Sequence, residues 1–377
     1  MSEVLKLACE LISRASLTPK DEGCQRLIAE RLAQSGFDVE WFYCGEVSNI
    51  LISKGKSSPS FWFLGHTDVV PTGPESDWSS PPFQPEVRDG VLYGRGAADM
   101  KGAVAAMVVA LERFVASNPD HKGQAGLLLT SDEEGEALDG IRRVAGLIDA
   151  RGLAPDYCLV GEPSCQETFG DTVRIGRRGS NAVRLLVHGI QGHTAFPHMI
   201  DNPVHRLAPF LSELLATTWD EGDENFPPSH CQVSNYVAGT GAMNVTPGHA
   251  ELTISFRNGP LSPSDQIRLQ VEDMLSRHGI ENYELDWHVS GEPFQSQPGP
   301  LRDALGTVIH TQLGLRPEMN TGGGTSDGRF MAPLGSEVAE FGLLNQTIHK
   351  VNENTPVADL EQLQEIYTSL LEKLLLS

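Results

Sequence analysis

Side chains that bind metal ions or move protons stand directly after three apolar runs of the sequence. The three places are GHTD at 65–68, TSDEEG at 130–135 and GEP at 161–163. Short apolar runs of this kind predict buried strands, and in open α/β sheets ligands bind beyond the carboxyl ends of the strands. We therefore expect the histidine and the carboxylates of these three loops to meet in one crevice. Histidine and carboxylate ligands gathered in this way suit zinc, manganese or cobalt.

Each of these residues also has an ordinary structural explanation. A single histidine after a strand, such as His66, is more often a hydrogen-bonded structural residue than a metal ligand. Asp99, in GRGAADMKG at 94–102, precedes a predicted helix and such a residue is more often only an N-cap. The pair Glu133 and Glu134 also fits a solvated acidic turn. Spacing alone therefore favours a metal-dependent hydrolase over a plain α/β domain, but both stay open.

The first 160 residues alternate helical and strand patterns, which is typical of an α/β sheet covered by helices on both faces. The predicted helices are 3–15, 22–35, 101–117 and 139–151. The predicted strands are 37–41, 49–53, 60–64, 125–130 and 157–160. Two further helices, near 301–313 and from about Asp359 onward, complete this layer.

The middle of the chain predicts a different unit. Its strands are 182–187, 231–238, 249–257 and 283–289, and its helices are 202–219 and 264–278. The order β-α-β-β-α-β is the ferredoxin-like arrangement. We therefore expect a catalytic α/β domain in two parts, 1–178 and 294–377, with an inserted α+β domain at 179–293.

The composition argues against several classes of function. The net charge is -22, from 50 acidic and 28 basic side chains, and would repel nucleic acid and anionic membranes. No window approaches ~18 consecutive apolar residues, and no basic segment precedes an apolar core at the start, so we expect a cytoplasmic protein. Six cysteines without a CxxC pair predict reduced thiols. The glycine run 322–324 lacks the spacing of a nucleotide-binding loop.

The segments that carry most of these polar residues, in their order along the chain, resemble a known family. They are GHTDVVP, DWSSPPF, GRGAADMKG, TSDEEG and GEPS, followed by RIGRRGS, GHTAFPHMIDNPVH, GTGAMNVTPG, GGGTSDGRF and NQTIHKVNE. The first group is similar to the zinc aminoacylase and exopeptidase family, which has a two-metal centre. The second group narrows the resemblance to members that hydrolyse N-succinyl-L,L-2,6-diaminopimelate to succinate and L,L-2,6-diaminopimelate, in lysine and cell-wall precursor synthesis. The resemblance runs from about residue 3 to residue 375.

The resemblance implies a zinc-exopeptidase-like catalytic domain and a homodimer formed through the inserted ferredoxin-like domain. It also implies two zinc ions per subunit, for which cobalt or manganese can substitute. The implied ligands are His66 and Glu162 for one ion, Glu134 and His349 for the other, and Asp99 as the bridge between them. Two-metal sites place the ions ~3.5 to 4 Å apart, a span that one carboxylate can bridge. Asp68 would accept the second ring N–H of His66 and fix its tautomer.

Two further residues receive catalytic roles from the resemblance. Glu133 would be the general acid/base, and because adjacent side chains diverge it cannot easily serve the same metal as Glu134. His193 would donate a hydrogen bond to the oxyanion, reaching in from the inserted domain of a partner subunit. Without the resemblance, His193 would be taken for a surface residue at a strand end.

The implied substrate has a second carboxylate, that of the succinyl group, far from the scissile bond. Arginine suits its recognition because the planar guanidinium bonds a carboxylate in a bidentate manner. The residues that match the family's substrate positions are Arg177, Ser180, Asn244, Arg257, Gly324, Thr325 and Asn345. Phe196 stands where the family usually has Tyr, and the pair Asn258 and Gly259 is also atypical. Substrate preference is therefore less closely fixed than the metal chemistry.

Two other interpretations stay open. A relative acting on another acyl amino acid, such as acetylornithine deacetylase or a carboxypeptidase, would share the metal ligands. The segments RRGS at 177–180 and GGTSD at 323–327 favour a succinyl carboxylate over these substrates. A catalytically inactive binding protein with the same fold is disfavoured, because all the implied ligands and Glu133 are present.

Overall fold

Apolar runs bounded by turn residues form the strands, and segments with helical spacing form the helices. The computed structural model describes residues 1–376. Its helices are α1 (Glu3–Ile12), α2 (Cys24–Gln34), α3 (Lys101–Ser117), α4 (Ile141–Ala150), α5 (Pro203–Ala216), α6 (Ser264–Arg277), α7 (Pro300–Leu313), α8 (Gly328–Met331) and α9 (Val357–Leu375). Among residues 1–376, none of these helices has the length and apolar content that a membrane crossing requires.

Five strands lie between α2 and α3, and helices separate the later strands singly or in groups. The strands are β1 (Asp38–Cys44), β2 (Val47–Lys54), β3 (Ser57–His66), β4 (Glu86–Arg88), β5 (Val91–Tyr93), β6 (Gly123–Thr130), β7 (Tyr157–Val160), β8 (Thr172–Arg174), β9 (Gly176–Arg177), β10 (Gly179–His188), β11 (Gly192–His193), β12 (His230–Ala238), β13 (Val245–Thr246), β14 (His249–Asn258), β15 (Tyr283–Gly291), β16 (Phe294–Gln295), β17 (Glu318–Asn320), β18 (Glu337–Glu340) and β19 (Asn354–Pro356).

The chain divides into two compact units. The first comprises Met1–Gly176, Gln295–Asn320 and the chain from Ser326 onward, and the second comprises Arg177–Phe294 and Thr321–Thr325. The boundaries expected from the sequence, at 178/179 and 293/294, lie within two residues of those at 176/177 and 294/295. The short segment 321–325 was not expected in the second unit. Thr321 belongs there because it is buried and its hydroxyl donates to the backbone carbonyl of Asn225.

The first unit is built on an eight-stranded mixed sheet in the order β1-β2-β6-β3-β7-β18-β8-β17. β3 lies between β6 and β7 and is parallel to both, and β18 is parallel to β7. The β3 residues 61–64 are all buried, as expected for a parallel strand covered on both faces. This agrees with the α/β assignment made from the sequence.

Helix α3 is the central helix of the first unit. It packs against α1 and α9, and its side chains are buried continuously from Lys101 to Leu111, which is why its sequence is apolar instead of amphipathic. Where α3 begins, the chain passes close to β3. A Cβ added at Gly65 would lie 2.5 Å from the terminal carbon of Met100. The glycine therefore permits the approach that brings Asp99 to the end of β3.

Two predicted helices run three residues past the observed C-terminal ends. The segments 3–15 and 202–219 show helical spacing, but α1 ends at Ile12 and α5 ends at Ala216. After α5 the chain becomes extended, and Trp219 is buried with its ring edge against Phe256, at a centroid separation of 5.1 Å. The helix ends where the chain turns to bury this indole, and the spacing of apolar residues in the sequence does not predict that burial.

The second unit has a four-stranded antiparallel sheet in the order β12-β14-β10-β15. Its chain order, β10-α5-β12-β14-α6-β15, is the predicted ferredoxin-like order, so this prediction is confirmed. Alternate residues of β10, such as Val183 and Leu185, share a separate apolar core with Phe210 of α5 and Val271 of α6. One face of this sheet therefore packs against the helices.

Candidate metal centre

The candidate centre lies in the first unit, where β6, β3 and β7 end side by side. His66, the last residue of β3, is paired with Thr130, the last residue of β6, and it lies two residues beyond the level at which β7 ends. The loop after β6 carries Glu133 and Glu134, and the loop after β7 carries Glu162. The parallel register therefore places the loop after β6 on one side of His66 and the loop after β7 on the other.

His66 is buried and lies among carboxylates. Its Nε2 is 3.3 Å from Oδ1 of Asp99 and 3.5 Å from Oε1 of Glu162. Its Nδ1 is 2.9 Å from the backbone carbonyl oxygen of Asp68 but 3.6 Å from the Asp68 carboxylate. The Nδ1 proton is therefore donated to the backbone, and not to the carboxylate as the sequence suggested. The tautomer is the expected one, and it leaves Nε2 as the atom that can bind a metal ion.

The Asp68 carboxylate has a different task, because it holds the loop that follows β6. It accepts hydrogen bonds from the backbone N–H groups of Glu133 and Glu134, at 3.4 and 3.2 Å. Asp68 is fully buried, so these bonds are shielded from water. Asp68 therefore fixes the positions from which the two neighbouring glutamate side chains start.

Two sets of donor atoms meet at His66. They are His66, Glu133 and Glu162 in one set, and His66, Asp99 and Glu134 in the other. Within each set the donor atoms lie within 4.8 Å of one another. The two adjacent glutamates thus belong to different sets, as expected from the divergence of neighbouring side chains.

Asp99 faces both histidines of the centre. Its Oδ1 is 3.3 Å from Nε2 of His66, and its Oδ2 is 3.4 Å from Nε2 of His349. The same His349 nitrogen lies 3.1 Å from Oε1 of Glu134. One carboxylate oxygen is therefore directed at each imidazole, which is the arrangement that a carboxylate bridging two ions requires. The His349 side chain is 50% exposed, and its backbone has φ +59°.

The carboxylates change the protonation of both imidazoles. Burial disfavours the charged form of His66, but hydrogen bonds to Asp99 and Glu162 outweigh it and raise the pKa of His66 well above its usual value. Hydrogen bonds to Asp99 and Glu134 raise the pKa of His349 to about 10. Burial of Asp99 opposes its ionisation, but its hydrogen bonds to the two histidines lower its pKa.

Three other carboxyl groups are driven toward the neutral form. Burial, followed by repulsion from Glu162 and Asp327, raises the pKa of Glu133 well above its ordinary value. Burial and repulsion from Asp99 raise the pKa of Glu134 to about 7. Burial is also the main reason that the pKa of Asp327 is raised to about 7. The carboxyl groups are therefore closer together than their mutual repulsion favours.

The donor set fits divalent cations. The acidic residues in and beside the two donor sets are Asp68, Asp99, Glu133, Glu134, Glu162 and Asp327, and the basic ones are His66 and His349. Divalent ions would supply the positive charge that relieves the repulsion among the carboxylates. Imidazole nitrogen and carboxylate oxygen are ligands that zinc, manganese and cobalt accept. The predicted metal ligands therefore fit a metal centre by their chemistry and by their distances.

Two acidic residues near the centre were not singled out from the sequence. Asp327 is buried, and within the described part of the chain neither of its carboxylate oxygens has a hydrogen-bond partner. Glu353 is fully buried and forms an ion pair of 2.8 Å with Arg95, which is buried as well. Both acids lie inside segments already noted, GGGTSDGRF and NQTIHKVNE. Their membership of these segments is the signal that sequence reasoning could have used.

In the second unit, the structure brings His193 next to Asn244. β11 pairs with β13 so that His193 is opposite Val245, and the Asn244 Nδ2 lies 3.5 Å from the His193 Nε2. The backbone N–H of Ala195 donates to the His193 Nδ1 at 3.0 Å. Because Nδ1 accepts this hydrogen bond, the proton of the neutral ring is on Nε2, which is then available as a donor.

Arginine side chains of the second unit gather at its glycine run. Arg177 is buried and its Nη1 donates to the Gly322 carbonyl at 3.1 Å, and Arg178 donates to the Gly323 carbonyl at 3.5 Å. Burial and repulsion from Arg257 lower the pKa of Arg178. Gly323 has φ +92°, and a Cβ there would lie 2.2 Å from the Arg177 Nη1, so a side chain is excluded. An anion at this cluster would relieve the repulsion between the guanidinium groups.

The other predicted substrate residues fall into both units. Ser180 is directly opposite Arg257 in the pairing of β10 with β14, so the two side chains share a face of that sheet. Gly324 and Thr325 lie in the short segment that returns to the second unit. Asn345 is the one predicted substrate residue of the first unit, where it is half-buried.

The chain matches peptidase family M20/M25/M40 over residues 62–373, and it belongs to this family. Succinyl-diaminopimelate desuccinylase of Halorhodospira halophila (strain DSM 244 / SL1) is 55% identical over 375 residues, which cover 100% of this chain and 99% of that protein. Succinyl-diaminopimelate desuccinylase of Stenotrophomonas maltophilia (strain K279a) is 52% identical over 375 residues, which cover 100% of both chains.

Solved structures of the same family share the fold. An M20 family metallo-carboxypeptidase from Sulfolobus solfataricus superposes with a TM-score of 0.83, at 18% identity and with 99% of each chain covered. The YXEP protein of Bacillus subtilis, a dinuclear metal binding peptidase from the M20 family, superposes with a TM-score of 0.70, at 14% identity and with 97% of this chain and 96% of that chain covered. The family and the fold predicted from the sequence are therefore confirmed.

Loading of the centre with metal should release protons. His66 and His349 carry raised pKa values, so in the metal-free protein both imidazoles hold a second proton at pH 7 that a ligated imidazole cannot keep. We expect about two to three protons released per chain at pH 7, one from each imidazole and about half of one from Glu134, whose pKa is about 7. The apparent metal affinity should rise with pH toward 10. Titration calorimetry in buffers of different ionisation enthalpy measures the number of protons released on metal binding. Release of no proton at pH 7 would contradict the prediction.

Proposed function

We propose that this chain is a two-metal amidohydrolase that converts N-succinyl-L,L-2,6-diaminopimelate and water to succinate and L,L-2,6-diaminopimelate, in lysine and cell-wall precursor synthesis. The observation that carries the proposal is the pair of donor sets that meet at His66, with Asp99 directed at both histidines. We infer the substrate from two desuccinylases that are 55% and 52% identical to this chain over its full length.

We assign two zinc ions to the centre, with cobalt or manganese as substitutes. His66 and Glu162 would hold one ion and Glu134 and His349 the other, with Asp99 between them. Each assigned pair lies close together, at 3.5 Å for the first and 3.1 Å for the second. When bound, the ions polarise the amide carbonyl and lower the pKa of the attacking water.

Glu133 would transfer the proton during hydrolysis. Burial and repulsion from Glu162 and Asp327 raise the pKa of Glu133, and a raised pKa makes its carboxylate a stronger base. It takes the proton from the attacking water and returns it to the nitrogen of the departing amine. Glu134, whose side chain belongs to the other donor set, stays a ligand.

His193 would stabilise the oxyanion that forms when water adds to the amide carbonyl. Its Nε2 carries the ring proton, because Nδ1 already accepts the N–H of Ala195 at 3.0 Å. A neutral imidazole with this tautomer can donate one hydrogen bond to the oxyanion. The Asn244 Nδ2 lies 3.5 Å from the same nitrogen, and because both atoms are then donors, the Asn244 amide is placed to contact the substrate.

Recognition of the succinyl carboxylate is assigned to the arginine cluster of the second unit. Arg177 and Arg257 would bind it, with hydrogen bonds from Ser180, Asn244, Gly324, Thr325 and Asn345. The repulsion that lowers the pKa of Arg178 supports an anion at this place. An acetyl group has no carboxylate, so this cluster favours a succinyl substrate over N-acetylornithine.

We further propose a cytoplasmic homodimer in which each site receives His193 from the second unit of the other subunit. Strand β12 supports this, because it is an edge strand with exposed apolar side chains, Tyr236 at 42% and Val237 at 64% exposure. Such an edge is a place where a second copy can pair. The six free cysteines suit a reducing compartment.

The substrate is tested by comparing kcat/KM for N-succinyl-L,L-2,6-diaminopimelate and N-acetylornithine on zinc-loaded protein. Because a charged pair of arginine and carboxylate is lost with the acetyl compound, we expect a preference of about 100-fold or more for the succinyl compound. A preference for N-acetylornithine would retain the hydrolase chemistry and contradict the assigned pocket. Absence of turnover with both compounds would contradict the function.

The role of Glu133 is tested with Glu133→Ala. We expect kcat to fall by about 10²- to 10⁴-fold, because the proton carrier is lost, while metal content stays unchanged. Glu134→Ala should instead reduce metal content, and Glu136→Ala, an exposed carboxylate of the same loop, should change neither. Metal analysis and steady-state kinetics provide both readouts. Substantial activity in Glu133→Ala would exclude the role.

The exchange of His193 between subunits is tested with mixed dimers. A His193→Ala chain and a Glu133→Ala chain are each inactive alone, but one site of a mixed dimer would combine an intact Glu133 with an intact His193. With random pairing of equal amounts, we expect about a quarter of the wild-type activity to return. Mixed dimers verified by mass spectrometry that stay inactive would show that each site is complete within one chain.

A further inference from the structure

The buried carboxylate of Glu353 is saturated by donors from the loop that carries Asp99. Its Oε2 accepts from the Nη1 of Arg95 at 2.8 Å and from the N–H of Gly96 at 3.0 Å. Its Oε1 accepts from the N–H groups of Ala98 and Asp99, at 2.9 and 3.0 Å. Each carboxylate oxygen thus accepts two hydrogen bonds, and the last of them comes from the residue that faces both histidines.

Glu353 also belongs to the segment that carries His349. The strand β19, which begins at Asn354, pairs with β5, and the Glu353 carbonyl accepts the N–H of Gly94 at 3.0 Å. The hydroxyl of Thr347 donates to the Asn354 carbonyl at 2.9 Å and accepts its N–H at 3.1 Å, which closes the loop around His349. Glu353 therefore connects the two loops at their bases.

The two donor sets are supported in different ways. His66 is the last residue of a central strand that is paired on both sides, so the sheet holds it. Asp99 and His349 lie outside regular elements, and His349 is half-exposed with φ +59°. Their separation therefore depends on the contacts at the bases of their loops, and the most extensive of these is the set of hydrogen bonds to Glu353.

We propose that Glu353 is a positioning residue that fixes Asp99 and His349 relative to each other, and that it thereby sets the affinity of the metal site formed by Asp99, Glu134 and His349. The inference rests on the proposed two-metal centre. Glu353 is too deeply buried to touch the substrate, at 0% exposure, and acts only through the loops.

Glu353→Gln tests this role because it preserves the shape of the side chain. An amide has one acceptor oxygen, so its NH₂ group would face two donors where the carboxylate accepted two hydrogen bonds. We expect the ion at the His66 and Glu162 site to lose less affinity, because of its assigned ligands only the shared Asp99 is held by Glu353. The affinity for the second ion should fall by about 10- to 100-fold, the usual effect of losing a residue that orients metal ligands. Titration with Co²⁺, followed by its absorption spectrum and by metal analysis, resolves the two events without substrate.

Glu337→Gln is the matched control. The Glu337 carboxylate also accepts backbone N–H groups, those of Leu301 and Arg302, both at 3.0 Å, but it lies at the start of β18, at the opposite end of the sheet from the centre. Both variants lose carboxylate hydrogen bonds, and both are expected to unfold at a lower temperature without metal. A weaker second ion in Glu353→Gln alone would distinguish positioning from a general loss of stability.

Arg95→Lys provides a second variant in case Glu353→Gln does not fold. It retains the charge beside Glu353 but removes the guanidinium fork, which also donates to the Pro71 carbonyl at 3.2 Å. We expect a smaller loss of affinity in the same direction. If wild-type protein binds two ions and the folded variants bind both with wild-type affinity and spectrum, the role of Glu353 is excluded. If wild-type protein binds a single ion, the two-metal proposal itself fails, and this inference with it.

Discussion

The parallel pairing of β3 between β6 and β7 is the constraint on which the candidate centre depends. The three strands are buried because their apolar runs are covered on both faces, and their common direction makes their carboxyl ends meet at one edge. Strands β3 and β6 end at the same level, at His66 and Thr130, so the polar loops that follow leave the sheet side by side. Where α3 begins, the side chain of Met100 lies against β3 at Gly65. Apolar packing thus places the ends of the three strands, and hydrogen bonds to Asp68 and Glu353 place the loops that carry the other ligands.

Packing of this kind is needed because the carboxylates of the centre repel one another and are buried. Repulsion and burial raise the pKa values of Glu133, Glu134 and Asp327, and the two imidazoles gain protons from the neighbouring carboxylates. Crowded buried charges of this type contribute little to stability unless they are compensated. The apolar core keeps them together, and divalent cations would neutralise them. The same crowding raises the pKa of Glu133 and makes its carboxylate a stronger base, so one physical cause both lowers stability and favours proton transfer.

The second unit carries a local cluster of arginines on a simpler scaffold. Its sheet buries one face against α5 and α6, and the strand ends and the short segment 321–325 carry the polar residues. Arg177, Arg178 and Arg257 come together there although the chain as a whole has a net charge of -22. Overall charge therefore says little about local recognition. The cluster of arginines beside Gly323, whose φ is +92°, favours a small anion.

The sequence by itself determined the family, the order of the elements and the residue types of the centre. The bounds of α3 and β7 were predicted as observed, because continuous apolar runs report burial directly. The roles of the ligands stay predictions, although the structure brings His66, Asp99 and His349 together. Only the tertiary structure showed that His66 donates to a backbone carbonyl, that the segment 321–325 joins the second unit, and that Glu353 reaches Arg95 across 258 residues of sequence. Periodicity and motifs report what a residue does relative to its neighbours in the chain, whereas these contacts join residues that only the folded chain brings into range.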